Sequence, residues 1–157
     1  MRVDRRHFER AARWLSAAAL LVVGGIHIEQ YVVAHFSVIP TIGPLFLVNF
    51  IGATACALAL VVPLPSPRVR ALVDVAAATG GIAISAGAFA ALLISEHTPL
   101  FGFSERGYRL EIVVALVSEG IAMLALLGLV WAIKPRVATI RGLRPALPDG
   151  ASVSPRR

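Results

Sequence analysis

The segment from His27 to Asn49 reads HIEQYVVAHFSVIPTIGPLFLVN and decides the fold, because it places a polar group and a turn between two apolar runs. The turn contains Pro40, Gly43 and Pro44, which are residue types that interrupt helices or begin them. Polar side chains at membrane depth are costly, so those that precede the turn require an explanation. The segment therefore predicts two antiparallel apolar helices joined by a short connection.

The composition is that of a membrane protein. Hydrophobic residues make up 57% of the chain and charged residues 15%, and the mean hydropathy is +0.79. A soluble domain of this length would not bury so much apolar surface. The net charge of +6 comes from basic residues that flank apolar segments, so nucleic acid is not a predicted partner. The single cysteine, Cys56, excludes an internal disulfide and paired-cysteine redox chemistry.

Four apolar runs are long enough to cross a bilayer, which takes about 20 residues. They are predicted at 14–36, 43–62, 69–94 and 110–133, after a basic juxtamembrane segment at 1–13 and before a disordered basic tail at 134–157. We therefore expect an all-α, polytopic membrane protein, an antiparallel bundle of four transmembrane helices. The third span is rich in glycine and alanine and should lie inside the bundle, since small residues allow close helix packing.

The basic residues predict the orientation of the spans. Among the 15 lysines and arginines, five precede span one, Arg68 and Arg70 lie at the junction of spans two and three, and six follow span four; only Arg106 and Arg109 lie elsewhere. The positive-inside rule places those three segments in the cytoplasm. We expect a multi-pass protein of the cell membrane with both termini cytoplasmic and the connections at 37–42 and 95–109 on the outer side.

An intramembrane polar cluster is predicted from His27, Gln30, Tyr31, Asn49 and Glu119. At a rise of about 1.5 Å per residue, His27 lies about 12 Å from His35 at the outer end of span one. Glu119 lies about 12 Å from Glu111 at the outer end of span four. Because these spans run in opposite directions, a bundle can bring His27 and Glu119 to one level and within hydrogen-bond reach.

A second set of polar residues is expected at the outer rim: His35, Glu96, His97, Glu105, Arg109 and Glu111. The connection between spans three and four holds most of them beside aromatic residues of the kind that anchor at membrane interfaces. We expect this rim to cover a pocket whose floor is His27 and Glu119. Glu29 lies about 200° from His27 on a helical wheel, so it is expected to face a partner.

Three functional interpretations of the polar residues stay open. In the first, they hydrogen-bond to one another across helices in a non-enzymatic scaffold or accessory subunit, whose polar pocket opens to the outer side. Its surroundings are the lipid bilayer, and its partner is another membrane protein or a second copy. The alternatives are a small proton- or ion-coupled transporter and a redox subunit that binds haem or a metal through His35 and His97. No catalytic residue or cofactor is predicted, since no nucleophile elbow or phosphate-binding glycine loop occurs.

Two segments carry a resemblance to known proteins. IPTIGPLFLVN at 39–49 and TPLFGFSERGY at 98–108 resemble small four-helix membrane proteins of high-GC bacteria to which no activity is assigned. In helix count and size the chain is also similar to DoxX-type proteins and to quinone-linked thiol oxidoreductases, although it lacks the paired cysteines of the latter. The resemblance implies the architecture over residues 14–133 and implies no site residues.

Overall fold

The computed structural model describes residues 5–102, 104, 107 and 109–142, with side chains described up to 134. Within these residues the chain forms the helices α1 (Arg5–Val32), α2 (Ile42–Val61), α3 (Pro67–His97) and α4 (Leu110–Gly142), with a short 3-10 helix at Phe36–Val38. Each of the four α-helices is long and apolar enough to cross a membrane. The predicted all-α four-helix bundle is confirmed, and its arrangement is that of a multi-pass membrane protein.

The helices form a ring in chain order. α1 packs on α2, α2 on α3 and α3 on α4, and α4 returns to pack on α1, as expected for spans one and four. Consecutive helices therefore run antiparallel. We call the end with the connections at 33–41 and 98–109 the upper end, and the end with the α2–α3 connection the lower end.

The most buried helix is α1, whereas the sequence predicted that α3 would lie inside the bundle. In the most apolar stretch of α1, 44% of the residues are buried, against 22% in α3. Small residues do bring α3 close to its neighbours, since a Cβ on Gly81 would lie 2.9 Å from Leu126 Cδ1. The centre, however, is filled by larger side chains such as Leu20 and Leu126, which are fully buried. Glycine and alanine thus allow close approach but provide little apolar volume themselves.

The largest differences from the predicted span limits are in α1 and α4. α1 begins at Arg5, so residues 5–13, which were expected in the juxtamembrane segment, are helical. α1 stops at Val32, short of residue 36, because His35 adopts a left-handed backbone conformation with φ 60°. α4 continues to Gly142, so residues 134–142, which were expected in the disordered tail, are helical. Pro135 removes one backbone donor there, but the arginines and alanine that follow favour a helix. The rest of the predicted tail, 143–157, lies outside the described residues.

The turn between α1 and α2 positions two aromatic rings. A Cβ on Gly43 would lie 2.8 Å from the Phe36 carbonyl oxygen, so only glycine allows the chain to fold back this tightly. Pro44 occupies the first turn of α2, where no intrahelical backbone donor is needed. Phe36 is buried, and its ring centroid lies 5.2 Å from that of Phe46.

Candidate functional site

A cavity of about 370 Å³ lies between the four helices in the upper half of the ring, and we call it the upper cavity. Its walls are mostly apolar, with small residues along α3 and the rings of Phe36 and Phe46. The polar residues in the lining are His27, Gln30, Asn49, Ser95, Glu111 and Glu119. Small-molecule sites have this volume and this mixture of apolar walls with few polar groups.

The predicted intramembrane cluster largely meets at this cavity. His27, Gln30 and Glu119 are buried and Asn49 is half-buried, and all four contribute to the lining. Tyr31 is half-buried but is absent from the described lining. Tyr31 lies about 100° from Gln30 and about 40° past His27 around the helix, at the edge of the face that borders the cavity.

Glu119 has an unusual environment for a carboxyl group. Its side chain is 2% exposed, and its Oε2 atom has no hydrogen-bond partner among the described residues. Buried polar atoms in folded proteins nearly always have a partner, and a buried carboxylate without one is costly. Oε2 therefore calls for a proton, a cation or a donor from a bound molecule.

The imidazole of His27 is held in one orientation. Its Nδ1 lies 2.8 Å from the Val23 carbonyl oxygen, and its ring packs on Phe46 with centroids 5.4 Å apart. A carbonyl only accepts, so Nδ1 carries a proton and donates it. In the neutral ring Nε2 is then an acceptor, and no described residue pairs with it.

The expected hydrogen bonds between helices do not form among the described members of the cluster. Gln30 donates to Glu29 at 2.5 Å, and Ser118 donates to the Ala115 carbonyl at 2.9 Å, so both bonds stay within one helix. Polar side chains on helices often bond to nearby groups of their own helix, and sequence spacing does not exclude this. His27 and Glu119 share the upper cavity, as their common depth predicted, but no hydrogen bond joins them.

The histidines of the predicted rim lie outside the cavity lining. His35 and His97 are exposed, and each places Nδ1 3.0 Å from a backbone carbonyl oxygen of the helix that precedes it or contains it. His35 leaves the helical face of His27 because α1 ends at Val32. Among the described residues there is no group of three or more His, Cys, Asp or Glu side chains that is suited to a metal ion.

The charged residues of the predicted rim and of the partner surface are dispersed. Glu111 is exposed and borders the upper cavity. Arg109, two residues earlier, is also exposed but is absent from the described lining. Glu96 is half-buried, and its Oε1 atom has no described hydrogen-bond partner. Glu105 lies outside the described residues. Glu29 is exposed on α1 and accepts a hydrogen bond from Gln30, and its contact with a partner stays a prediction.

A buried ion-pair cluster at the lower end was missed by the sequence analysis. Asp74 is 1% exposed and accepts from Arg13 at 2.6 Å through Oδ2, while its Oδ1 lies 2.6 Å from Arg70 Nη2. Arg13 also donates to Glu9 at 3.0 Å. We call Glu9, Arg13, Arg70 and Asp74 the lower cluster.

The lower cluster connects three helices. Arg70 donates to the carbonyl oxygens of Ala59 and Val62 at 2.7 and 2.8 Å, groups near the end of α2 that lack a helical partner. Arg13 crosses from α1 to Asp74 on α3. The signal in the sequence was the spacing of four between Glu9 and Arg13 and between Arg70 and Asp74, which places each pair on one helix face.

The comparisons add no relative. No protein-family model, no curated protein and no solved structure matches this chain. What the site does is therefore inferred from its own side chains.

An apolar core separates the two polar sites. His27 and Arg13 lie about 21 Å apart along α1 at a rise of about 1.5 Å per residue. The interval is filled by Leu20 together with Leu126 and Leu129 of α4, all of which are 0% exposed. The upper cavity is therefore closed from below in this conformation.

Proposed function

We propose that this chain is a non-enzymatic integral protein of the cell membrane, an accessory or scaffold subunit that receives a small ligand in the upper cavity. The observation that carries the proposal is a cavity of ligand size with the buried, unpartnered carboxyl group of Glu119 in its wall. His27 supports the proposal, because its fixed ring leaves Nε2 available to an occupant. Ligand sites typically combine a preformed apolar space with a few such groups.

The upper cavity opens to the extracytoplasmic side in this proposal. Most basic residues of the chain lie in the lower parts of α1, α3 and α4 or in the sequence before α1 and after α4, the distribution of cytoplasmic segments. Glu111 marks the upper mouth with an exposed carboxylate, a group that stays hydrated at the membrane surface.

A proton- or ion-coupled carrier has less support from the same geometry. A carrier needs a polar route to both sides, whereas Leu20, Leu126 and Leu129 close the bundle beneath the cavity. The exposed carboxylate of Glu29 on the outer surface of α1 instead suits a subunit that contacts a partner protein.

Thiol labelling tests the opening of the cavity. We expect Ala91→Cys, in a Cys56→Ala background, to react from outside with the membrane-impermeant reagent MTSET in spheroplasts, because Ala91 lines the cavity. Ala78→Cys is the matched control on the same helix, since Ala78 is 0% exposed in the core, and it should stay unlabelled. Equal labelling of the two variants, or labelling of Ala91→Cys only after the membrane is opened, would overturn the proposal.

A further inference from the structure

The charged groups in the lining of the upper cavity are acidic. Glu111 and Glu119 both border the space, and no lysine or arginine occurs among the described lining residues. An anionic ligand would meet these carboxyl groups without a counter-charge, whereas a cation would neutralise one of them in a low-dielectric setting. The charge of the lining therefore favours a positively charged occupant.

Glu119 and His27 each present the cavity with an acceptor atom that receives no hydrogen bond from a described residue. Oε2 of Glu119 has no described hydrogen-bond partner, and Nε2 of His27 is an acceptor once Nδ1 donates to Val23. An ammonium group provides N–H donors and a positive charge in one small head. It would donate hydrogen bonds to Oε2 of Glu119 and to Nε2 of His27. Hydrogen bonds that involve an ionised group are stronger than those between neutral groups.

The lining of the upper cavity suits an organic molecule better than a bare metal ion. Ala83, Gly87, Ala88 and Ala91 present a small-residue face of α3 to the cavity, and a Cβ on Gly87 would meet no atom within 4 Å. Metal ions such as Ca²⁺ take several ligands at once, and no group of three or more His, Cys, Asp or Glu side chains among the described residues could hold one. An apolar body about as wide as an alkyl chain would instead cover the walls and displace poorly held water.

We propose that the upper cavity binds a lipophilic amine, with its ammonium group between Glu119 and His27 and its apolar body along the Ala83–Ala91 face of α3. This assignment rests on the proposed function and names the ligand class for the same cavity. Leu45 and Gly87 line the cavity and are also exposed, so its side opens between α2 and α3 towards lipid. A molecule dissolved in the bilayer reaches the cavity by that route.

Two probes with the same alkyl chain length separate the contribution of charge to binding from that of apolar contact. The test measures binding of radiolabelled decylamine and decan-1-ol to the protein in phosphatidylcholine nanodiscs, with empty nanodiscs subtracted. We expect decylamine to bind at least about tenfold more tightly than decan-1-ol, because one hydrogen bond to a charged group contributes about that much affinity. Glu119→Gln should reduce decylamine affinity to that of the alcohol and leave the alcohol unchanged. Arg68→Gln, which is exposed at the lower end of α3 and outside the cavity lining, should change neither.

Two further variants distinguish failure of the amine assignment from failure of the proposed ligand cavity. Ala91→Phe fills the cavity and should abolish binding of both probes. If both probes bind equally and Ala91→Phe blocks them, the ligand cavity stands and the amine assignment is overturned. If Ala91→Phe changes neither, the proposed function fails as well. His27→Phe keeps an aromatic ring but removes the hydrogen-bond acceptor Nε2. If decylamine binding is unchanged in both His27→Phe and Glu119→Gln, the amine assignment is also overturned.

Discussion

Asp74 and Glu119 are buried carboxyl groups with opposite surroundings. Asp74 lies between Arg13 and Arg70 at 2.6 Å from each, whereas Oε2 of Glu119 has no described partner. Removing one member of a buried ion-pair group leaves uncompensated charges, while removing an unpaired group does not. The stability of the fold should therefore depend on Asp74 far more than on Glu119.

Substituting the two carboxyl groups by isosteric amides tests this difference. We expect Asp74→Asn to lower the free energy of unfolding by about 3 kcal/mol, the lower end of the range for a broken buried ion pair, because Arg13 and Arg70 are partly exposed and lose only part of their compensation. Glu119→Gln is the matched variant and should change it by less than about 1 kcal/mol. Unfolding in SDS and mild-detergent mixed micelles, followed by circular dichroism, measures both values. Equal losses would contradict this account of the lower cluster.

His27 and Glu119 show how far individual residues were predictable. Their common depth follows from helix rise and span limits alone, so the sequence predicted that they share a pocket. Their lack of a mutual hydrogen bond did not follow, because His27 can satisfy Nδ1 on the Val23 carbonyl of its own helix. That choice depends on the side-chain rotamer and the helix separation, which the sequence pattern does not contain.

α3 packs through individual glycines. At Gly81 an added Cβ would lie 2.9 Å from Leu126 Cδ1 and 3.2 Å from Leu20 Cδ1, and both leucines are 0% exposed. At Gly25 on α1 an added Cβ would meet no atom within 4 Å. The two glycines thus distinguish close helix packing from a position without contacts.

Valine substitutions at these glycines give a second prediction. Gly81→Val should destabilise the bundle by about 1–3 kcal/mol, since the packed leucines must shift to admit the extra carbons. Gly25→Val should have an effect within about 0.5 kcal/mol, as for other surface substitutions. Thermal unfolding of the two proteins in the same detergent compares them directly. A Gly25→Val protein as unstable as Gly81→Val would show that loss of glycine itself, and not crowding, is responsible.

The limits of the helices were predictable in part. Hydropathy located α2 within a residue at each end, since apolar runs bounded by proline-containing turns are clear in the sequence. The end of α1 was misplaced because His35 is not a residue type that enforces a left-handed conformation. The left-handed backbone at His35 precedes the tight return at Gly43, and neither feature is visible before the two helices are packed.

The orientation of the whole bundle provides a prediction about topology. In a Cys56→Ala background, Pro40→Cys and Ser104→Cys lie in the exposed upper connections and Pro67→Cys lies at the lower end. We expect a membrane-impermeant biotin maleimide to label the first two in intact cells and the third only after permeabilisation, because basic segments stay in the cytoplasm. Labelling of Pro67→Cys alone in intact cells would invert the orientation and contradict the proposed outer opening of the cavity.

The two ends of the bundle have different polar environments. Arg13, Arg70 and Asp74 join α1, α2 and α3 at one end, while the other end holds a cavity with unsatisfied polar groups. Buried ion pairs hold helices in one arrangement, and unpaired polar groups favour a bound molecule. This division supports a rigid membrane subunit with a binding site at its upper end.

By itself, the sequence determined the number of spans, their approximate limits and the expected placement of basic residues, because hydropathy and charge add up along the chain regardless of neighbours. It also predicted that polar residues of α1 and α4 meet at one depth. Only the tertiary structure decided that Asp74 is paired with Arg13 and Arg70 and that Glu119 is left unpaired in a cavity. Pairing depends on the rotation and separation of helices, since a hydrogen bond is lost with a shift of about 1 Å.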